Sequence, residues 1–273
     1  MAFIDARDGT PLYYTDWGSG RPVVLIHGWP LNSDMWEYQA RFLAENGFRV
    51  IAYDRRGFGR SGKPWGGYDY DTMADDLATI LEKLDLHGAA IVGFSMGGGE
   101  VARYLGRHGA GRISHAALIA AVTPFLLQTN DNPDGVPQSV FDGFIDQLKK
   151  DRQHFLTGFG KNFFGAGLVT SPVSSEILQW ASWLAWQASP QATIACVTAF
   201  SSTDFRADMK AFTVPTLIVH GDSDGTVPVE KSGALAAKLV PHAKFLTYAG
   251  APHALVVTEA DRFNADLLAF LRG

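Results

Sequence analysis

The sequence predicts an α/β fold: a mostly parallel central sheet flanked by helices, with a helical segment inserted in the second half of the chain. Three observations support this prediction. Short apolar runs alternate with amphipathic stretches over the first 120 residues, the same alternation returns after residue 210, and an aromatic-rich stretch separates the two parts. Alternation of this kind is typical of βα units, whose parallel sheets are covered on both faces.

Individual elements follow from runs of Val, Ile and Ala, which predict strands, and from amphipathic stretches between them, which predict helices. Strands are predicted at residues 22–26, 49–53, 90–94, 116–121, 214–219 and 244–248. Helices are predicted at residues 34–45, 71–84, 96–107, 228–239 and 258–271. Residues 32–34 (NSD) supply capping side chains at the start of the first helix, and Asn46-Gly47 supplies a typical stop.

The stretch at residues 124–210 breaks this alternation. It contains the turn-rich segment 130–137 and then helical segments crowded with Phe and Trp. We expect residues 1–123 and 211–273 to form the core, and residues 124–210 to form a helical cap over the carboxyl ends of the strands. Ligands bind at that edge of an open α/β sheet.

Composition excludes several functions. A net charge of -5 does not favour electrostatic binding to nucleic acid or to an anionic membrane surface. The single cysteine, Cys196, excludes an internal disulfide, and no apolar run approaches the ~18 residues of a membrane span. Residues 1–8 lack a basic region followed by an apolar stretch, so we expect a cytoplasmic protein. The oligomeric state stays open, with a homo-oligomer among the alternatives.

The pentapeptide at residues 93–97, GFSMG, fits the pattern G-x-S-x-G, in which a serine lies on a sharp turn between a strand and a helix. A strand is predicted before it and a helix after it, as the pattern requires. A serine that merely caps a helix is the alternative, and the context disfavours it. We therefore interpret Ser95 as a nucleophile.

A serine nucleophile needs a base, usually a histidine held by a carboxylate. With this pattern, the partners follow in the order Ser, Asp, His. Among the eight histidines, His253 is favoured because it lies between the last predicted strand and the last predicted helix. His27 and His220 each precede a glycine at a strand end and are assigned to turn packing and hydrogen bonding.

The loop after the strand at residues 214–219 offers two candidate acids, Asp222 and Asp224. Residue chemistry does not choose between them, although the spacing favours Asp224. Acyl transfer also needs two backbone N–H groups that face the developing oxyanion. Met96 is expected to supply one, and Trp29 the other, because Pro30 has no N–H.

The segment at residues 57–62, GFGRSG, matches the glycine pattern of dinucleotide-binding loops, and with Lys63 it also resembles a phosphate-binding loop. The context supports neither function, because the following residues do not begin a helix and Pro64 replaces the hydroxyl that binds Mg²⁺. We interpret the segment as a turn braced by Asp54, and we expect no nucleotide, metal or other cofactor.

Segments spread over nearly the whole chain carry a family resemblance. They are residues 27–31 (HGWPL), 54–61 (DRRGFGRS), 93–99 (GFSMGGG), 127–129 (LQT), 136–143 (VPQSVFDG), 203–206 (TDFR) and 251–253 (APH). In these segments the chain resembles the α/β-hydrolases of the cofactor-free (non-heme) haloperoxidase, perhydrolase and aryl esterase family. The cap segments 127–129 and 203–206 narrow the resemblance to this group.

The resemblance implies an α/β-hydrolase fold with its cap after the sixth strand, and hydrolysis of aryl or short-chain acyl esters through an acyl-enzyme. It also implies that hydrogen peroxide can replace water, giving a peracid that oxidises halide in solution. Asp224 matches the family's acid, and Trp29 matches the residue whose amide serves the oxyanion hole. Pro30 matches a position where proline accompanies perhydrolysis, and it restricts Trp29 to extended conformations. A role in stiffening the turn explains Pro30 equally well.

Apolar side chains are predicted to line the acyl pocket, and polar groups among them are few. A small uncharged ester is therefore the expected substrate. The predicted lining residues are Pro30, Phe125, Phe144, Phe159, Phe163, Phe200 and Val227.

Two other functions stay open. A lactamase or amidase acting on small cyclic amides forms the same kind of acyl-enzyme, from a strained amide. A non-catalytic ligand receptor with this fold is the second alternative, and the complete set of Ser95, Asp224 and His253 argues against it. Dehalogenases and epoxide hydrolases of the same fold use an aspartate nucleophile, which Ser95 excludes.

Overall fold

A computed structural model describes residues 2–167 and 171–273, and its centre is an eight-stranded sheet. The strands are β1 (Ala2–Asp5), β2 (Pro11–Gly18), β3 (Arg21–Ile26), β4 (Phe48–Tyr53), β5 (Ala89–Phe94), β6 (Ile113–Ile119), β7 (Thr216–Gly221) and β8 (Lys244–Tyr248). Their order across the sheet is β1-β2-β4-β3-β5-β6-β7-β8. β2 pairs antiparallel with β1 and with β4, and the pairs from β4 to β8 are parallel. The carboxyl ends of the parallel strands therefore share one edge.

Helices cover both faces of the sheet. They are α1 (Glu37–Glu45), α2 (Tyr70–Lys83), α3 (Met96–His108), α7 (Gly233–Leu239), α8 (Leu255–Thr258) and α9 (Ala260–Arg272). α2 packs against α3, and α1 packs against α9. All residues of β5 are buried between these layers, which explains its unbroken apolar character.

The helical insertion lies between the sixth and seventh strands, as predicted. It consists of α4 (Gln138–Phe163), α5 (Ser175–Trp186) and α6 (Pro190–Ser202), and α4 packs against both of the others. α4 is kinked at Asp151, whose backbone leaves the helical conformation (φ -155°, ψ 85°). Within the described parts of the chain, no helix combines the length and the hydropathy that crossing a membrane requires.

Element bounds differ from the prediction where the local backbone interrupts a regular pattern. The predicted helix 34–45 begins as a 3₁₀ turn, Ser33–Trp36, and the Asn32 side chain caps it by accepting a hydrogen bond from the Asp34 N–H. The predicted helix 228–239 is divided at Ser232, which is not helical (φ -141°, ψ -93°). β1 and β2 were not predicted, and they extend the sheet on its antiparallel side.

Candidate active site

Ser95 lies on a sharp turn between β5 and α3. Its φ is 53° and its ψ is -118°, a backbone conformation that residues other than glycine rarely adopt. The turn requires glycine on both sides. A Cβ at Gly97 would lie 2.5 Å from the Ile26 carbonyl oxygen, and a Cβ at Gly93 would lie 2.3 Å from the Gly97 oxygen. The strained turn therefore holds the serine above the carboxyl end of β5.

Ser95, His253 and Asp224 form a continuous hydrogen-bonded chain. The Ser95 hydroxyl donates to Nε2 of His253 at 2.9 Å, and Nδ1 of His253 donates to Oδ2 of Asp224 at 2.6 Å. All three are buried: Ser95 is 6% exposed, Asp224 5% and His253 1%. The residues follow β5, β7 and β8, so the shared edge of the sheet brings together side chains that are distant in sequence.

Hydrogen bonds connect the loops after β7 and β8, and this explains why His253 contacts Asp224. The exposed Asp222 accepts a hydrogen bond from the Gly250 N–H at 2.6 Å, and the Ser223 N–H donates to the Ala251 carbonyl at 3.2 Å. Asp222 therefore braces the two loops, while Asp224 contacts the imidazole.

Hydrogen bonds stabilise the ionised form of Asp224. The backbone N–H groups of Thr226 and Val227 donate to Oδ1, at 2.9 and 2.8 Å. Burial raises the pKa of Asp224, but His253 and His220, through their charges and hydrogen bonds, outweigh this effect and hold the pKa below its usual value. An anionic carboxylate in this position orients the His253 ring and fixes its tautomer.

The turn after β3 is held by His27. Nε2 of His27 accepts from the Arg55 backbone N–H at 2.9 Å, so the ring proton lies on Nδ1 and is donated to the Gly28 carbonyl at 2.9 Å. The Leu31 N–H donates to the same carbonyl. The N–H of Trp29 belongs to that peptide unit and points the opposite way.

Both predicted oxyanion-hole residues lie beside Ser95. Met96 is the first residue of α3, where N–H groups lack partners within the helix. Trp29 lines the same cavity as Ser95, and a Cβ at the preceding Gly28 would lie 3.0 Å from the Ser95 Cβ. The Trp29 indole donates to the Thr193 carbonyl of α6, which connects this turn to the insertion.

A largely apolar cavity of about 60 Å³ opens onto Ser95. Of the predicted pocket residues, Phe144, Phe159, Phe200 and Val227 line it. Other residues around it were not predicted as pocket residues: Val122, Leu126, Val136, Val140, Phe141 and Thr226. Helical spacing could have predicted one of them, because Phe141 lies one turn before Phe144 on α4 and therefore shares its face of the helix.

The remaining predicted pocket residues occupy other positions. Pro30 and Phe163 line a second, smaller cavity of about 20 Å³, between α4, α5 and the turn after β3. The Phe163 ring also contacts the His253 ring, with 4.8 Å between their centres. Phe125 is not among the residues that line either cavity; its ring lies 5.2 Å from the Arg206 guanidinium carbon. Phe159 lines both cavities.

The glycine-rich segment 57–62 forms a turn braced by Asp54, as interpreted from the sequence. The Asp54 carboxylate accepts hydrogen bonds from Ser33 and from the backbone and side chain of Arg60. The Gly57 carbonyl accepts from the Ser189 N–H at the start of α6, so the turn supports the insertion. In residues 2–167 and 171–273, no group of three or more His, Cys, Asp or Glu side chains is placed to hold a metal ion.

Comparison with known proteins places the chain in a family. A family model for the alpha/beta hydrolase fold matches residues 21–260. The chain is 44% identical to the non-heme chloroperoxidase CPO-A1 of Kitasatospora aureofaciens, with 99% of each chain covered. It is 43% identical to the bifunctional esterase/perhydrolase DCH of Acinetobacter calcoaceticus over 100% of both chains. The crystal structure of bromoperoxidase from Bacillus anthracis superposes with a TM-score of 0.96, at 47% identity and 100% coverage of both chains.

The resemblance inferred from the sequence segments is thereby confirmed over the full length of the chain. The protein belongs to the α/β-hydrolase family, in its group of non-heme haloperoxidases, esterases and perhydrolases.

Proposed function

We propose that the protein is a serine carboxylic-ester hydrolase that acts on aryl and short-chain acyl esters through an acyl-enzyme at Ser95. One observation carries this proposal: the hydrogen-bonded chain from Ser95 through His253 to Asp224 opens onto an apolar cavity. A hydroxyl with a base at 2.9 Å is positioned for nucleophilic attack, and the cavity suits an uncharged acyl group.

The reaction proceeds in two steps. The Ser95 oxygen attacks the ester carbonyl while Nε2 of His253 takes the hydroxyl proton, and Asp224 stabilises the imidazolium that forms. The N–H groups of Met96 and Trp29 stabilise the oxyanion. As the intermediate collapses, His253 returns the proton to the departing alcohol or phenol, and Ser95 stays acylated. Water, activated by His253, then attacks the acyl group and releases the carboxylic acid and Ser95.

Hydrogen peroxide replaces water in the second step. Its attack on the acylated Ser95 releases a peracid, which oxidises halide in solution. The names of the similar proteins support this side activity, because they include a chloroperoxidase and an esterase/perhydrolase. We propose that the hydrogen peroxide donates a hydrogen bond to the carbonyl of Trp29. This carbonyl is adjacent to Pro30 in the turn beside Ser95.

The insertion supplies most of the substrate pocket. Phe144, Phe159 and Phe200 reach the cavity from α4 and α6, and Val227 reaches it from the loop after β7. We propose that residues 124–210 form the cap that selects the acyl group, on a core formed by residues 1–123 and 211–273.

The test compares wild-type protein with Ser95→Ala on p-nitrophenyl acetate, with and without hydrogen peroxide. Wild type is expected to release p-nitrophenol, to form peracetic acid only with peroxide present, and to lose both activities in the variant. A bicyclic lactam assayed in parallel distinguishes the ester hydrolase from a lactamase. Equal p-nitrophenol release by wild type and Ser95→Ala would refute the proposal.

A further inference from the structure

Asp224 has a second histidine beside it. His220, the penultimate residue of β7, has no exposed surface. Its Nε2 lies 2.8 Å from the Val227 carbonyl oxygen and 3.3 Å from Oδ2 of Asp224, the same oxygen that accepts from His253. A carbonyl oxygen can only accept, so Nε2 of His220 carries a proton.

Packing alone does not explain a histidine in this position. Nδ1 of His220 is buried and has no hydrogen-bond partner among the described residues. Gly233 packs against this atom, because a Cβ at Gly233 would lie 2.6 Å from it. A buried nitrogen without a partner costs free energy that an apolar side chain of similar size would avoid. The compensating contribution must come from Nε2–H.

Nε2 of His220 lies beside both the carboxylate, 3.3 Å from Oδ2, and the loop that holds it, to which its N–H donates. Val227 donates its N–H to Oδ1 of Asp224, and its carbonyl accepts from His220. The titratable side chains that contact the carboxylate are His253, from the loop after β8, and His220, from β7. Thr226 and Val227 contribute backbone groups. With His220 in place, neither carboxylate oxygen is free to turn away from the His253 ring.

We propose that His220 is a positioning residue, whose Nε2–H holds the Asp224 carboxylate and the Val227 carbonyl so that Oδ2 stays aligned with His253. This role rests on the proposed function of Asp224 and His253. His220 neither takes nor gives a proton in the reaction. Its contribution appears in kcat through Asp224, and substrate binding does not depend on it.

The test is a double-mutant cycle between His220 and Asp224, measured as kcat and KM on p-nitrophenyl acetate. His220→Leu, which has no donor, is expected to lower kcat about tenfold with KM changed by less than about twofold. His220→Gln retains an N–H at a similar reach and is expected to restore most of the loss. In an Asp224→Asn background, His220→Leu is expected to cause no further loss, because the group through which it acts is already altered.

Three comparisons decide the outcome. A fall in kcat that is as large in the Asp224→Asn background as in wild type, or that is equal for His220→Leu and His220→Gln, would overturn the role. A fall in kcat for His220→Leu that is no larger than the fall for His115→Leu would also overturn the role. His115→Leu is the matched control, because it replaces another buried strand histidine.

Folding is checked by circular dichroism, with His220→Met as a second apolar variant. If neither apolar variant folds while His220→Gln and His115→Leu do, the N–H serves the fold and the positioning role is lost. Ser95→Ala is assayed alongside. Activity retained there contradicts the proposed function itself, whereas loss of activity there, with His220→Leu unaffected, contradicts only the role of His220.

Discussion

At the scale of single residues, Asp222 and Asp224 lie on the same loop but face different partners. Asp224 is buried and accepts hydrogen bonds from the imidazole and from two backbone N–H groups. Asp222 is exposed and accepts a hydrogen bond from the Gly250 N–H. Their types and positions were evident from the sequence. Their roles were not, because the contact with His253 depends on how the loops after β7 and β8 meet.

Asp224→Asn is expected to lower kcat on p-nitrophenyl acetate by roughly 10³- to 10⁴-fold, because an amide favours the wrong tautomer of His253. Asp222→Asn retains an oxygen that can accept from the Gly250 N–H, so its kcat is expected to fall by less than about tenfold. Steady-state kinetics on the two variants checks this difference. Equal losses would reverse the assignment of the acid.

His27 gives the fold a pH dependence. Burial, and then the charge of Arg55, lower the pKa of His27 to about 3. Because the unfolded chain binds a proton near pH 6.5 and the folded chain does not, this contribution to stability is present above about pH 6.5 and is lost as pH falls toward 3. Its slope is at most about 1.4 kcal/mol per pH unit.

Urea unfolding at about pH 7, 6 and 5 measures this effect. The free energy of unfolding of wild type is expected to fall more steeply with decreasing pH than that of His27→Gln, whose side chain does not titrate. His154→Gln serves as the control, because it replaces an exposed histidine on α4 instead of a buried one. Parallel slopes for wild type and His27→Gln would contradict the account.

At the scale of elements, α4 determines the shape of the pocket. The Phe159 ring lies 5.1 Å from the Trp29 ring and borders both the Ser95 cavity and the smaller cavity lined by Pro30 and Phe163. Helical spacing predicts that Phe159 and Phe163 share a face of α4. It does not predict that Phe159 borders both cavities and Phe163 only the smaller one, because that depends on how α4 crosses α5 and the turn after β3.

Phe159→Ala is expected to join the two cavities and to shift the preferred acyl chain from acetate toward butyrate and hexanoate. The kcat/KM ratio of hexanoate to acetate esters is expected to rise by about tenfold or more, since each accommodated methylene contributes on the order of 1 kcal/mol or more. Phe155→Ala, one turn earlier on α4, is the matched control, because Phe155 packs against Phe159 but borders neither cavity. The same chain-length profile in both variants would show that Phe159 does not separate the cavities.

At the scale of the whole molecule, the sheet brings distant segments of the chain together. The parallel strands β3 to β7 were predictable because each contains a buried apolar run. β8 is partly exposed, and it occupies the residues that were expected. β1 and β2 escaped prediction because they are partly exposed strands at the antiparallel side of the sheet, outside the βα pattern. The chain pattern predicted the order serine, aspartate, histidine, and the family resemblance favoured Asp224 over Asp222. Placing the pocket required the packing of the insertion.

Metal removal tests whether the whole protein works without a metal ion, as the proposed mechanism requires. The proposed steps use a hydroxyl, an imidazole, a carboxylate and backbone N–H groups, so prolonged dialysis against EDTA is expected to leave kcat on p-nitrophenyl acetate unchanged. A loss of activity that added divalent metal restores would contradict the mechanism.

The central claim is that Ser95 carries the acyl group. Peptide mapping by mass spectrometry, after acid quench during turnover of p-nitrophenyl acetate, tests it most directly. The acetyl group is expected on Ser95, to form much more slowly in His253→Gln, and to be absent from Ser95→Ala. An acetyl group on another residue, or no acylated peptide while p-nitrophenol is released and Ser95→Ala stays active, would contradict the account.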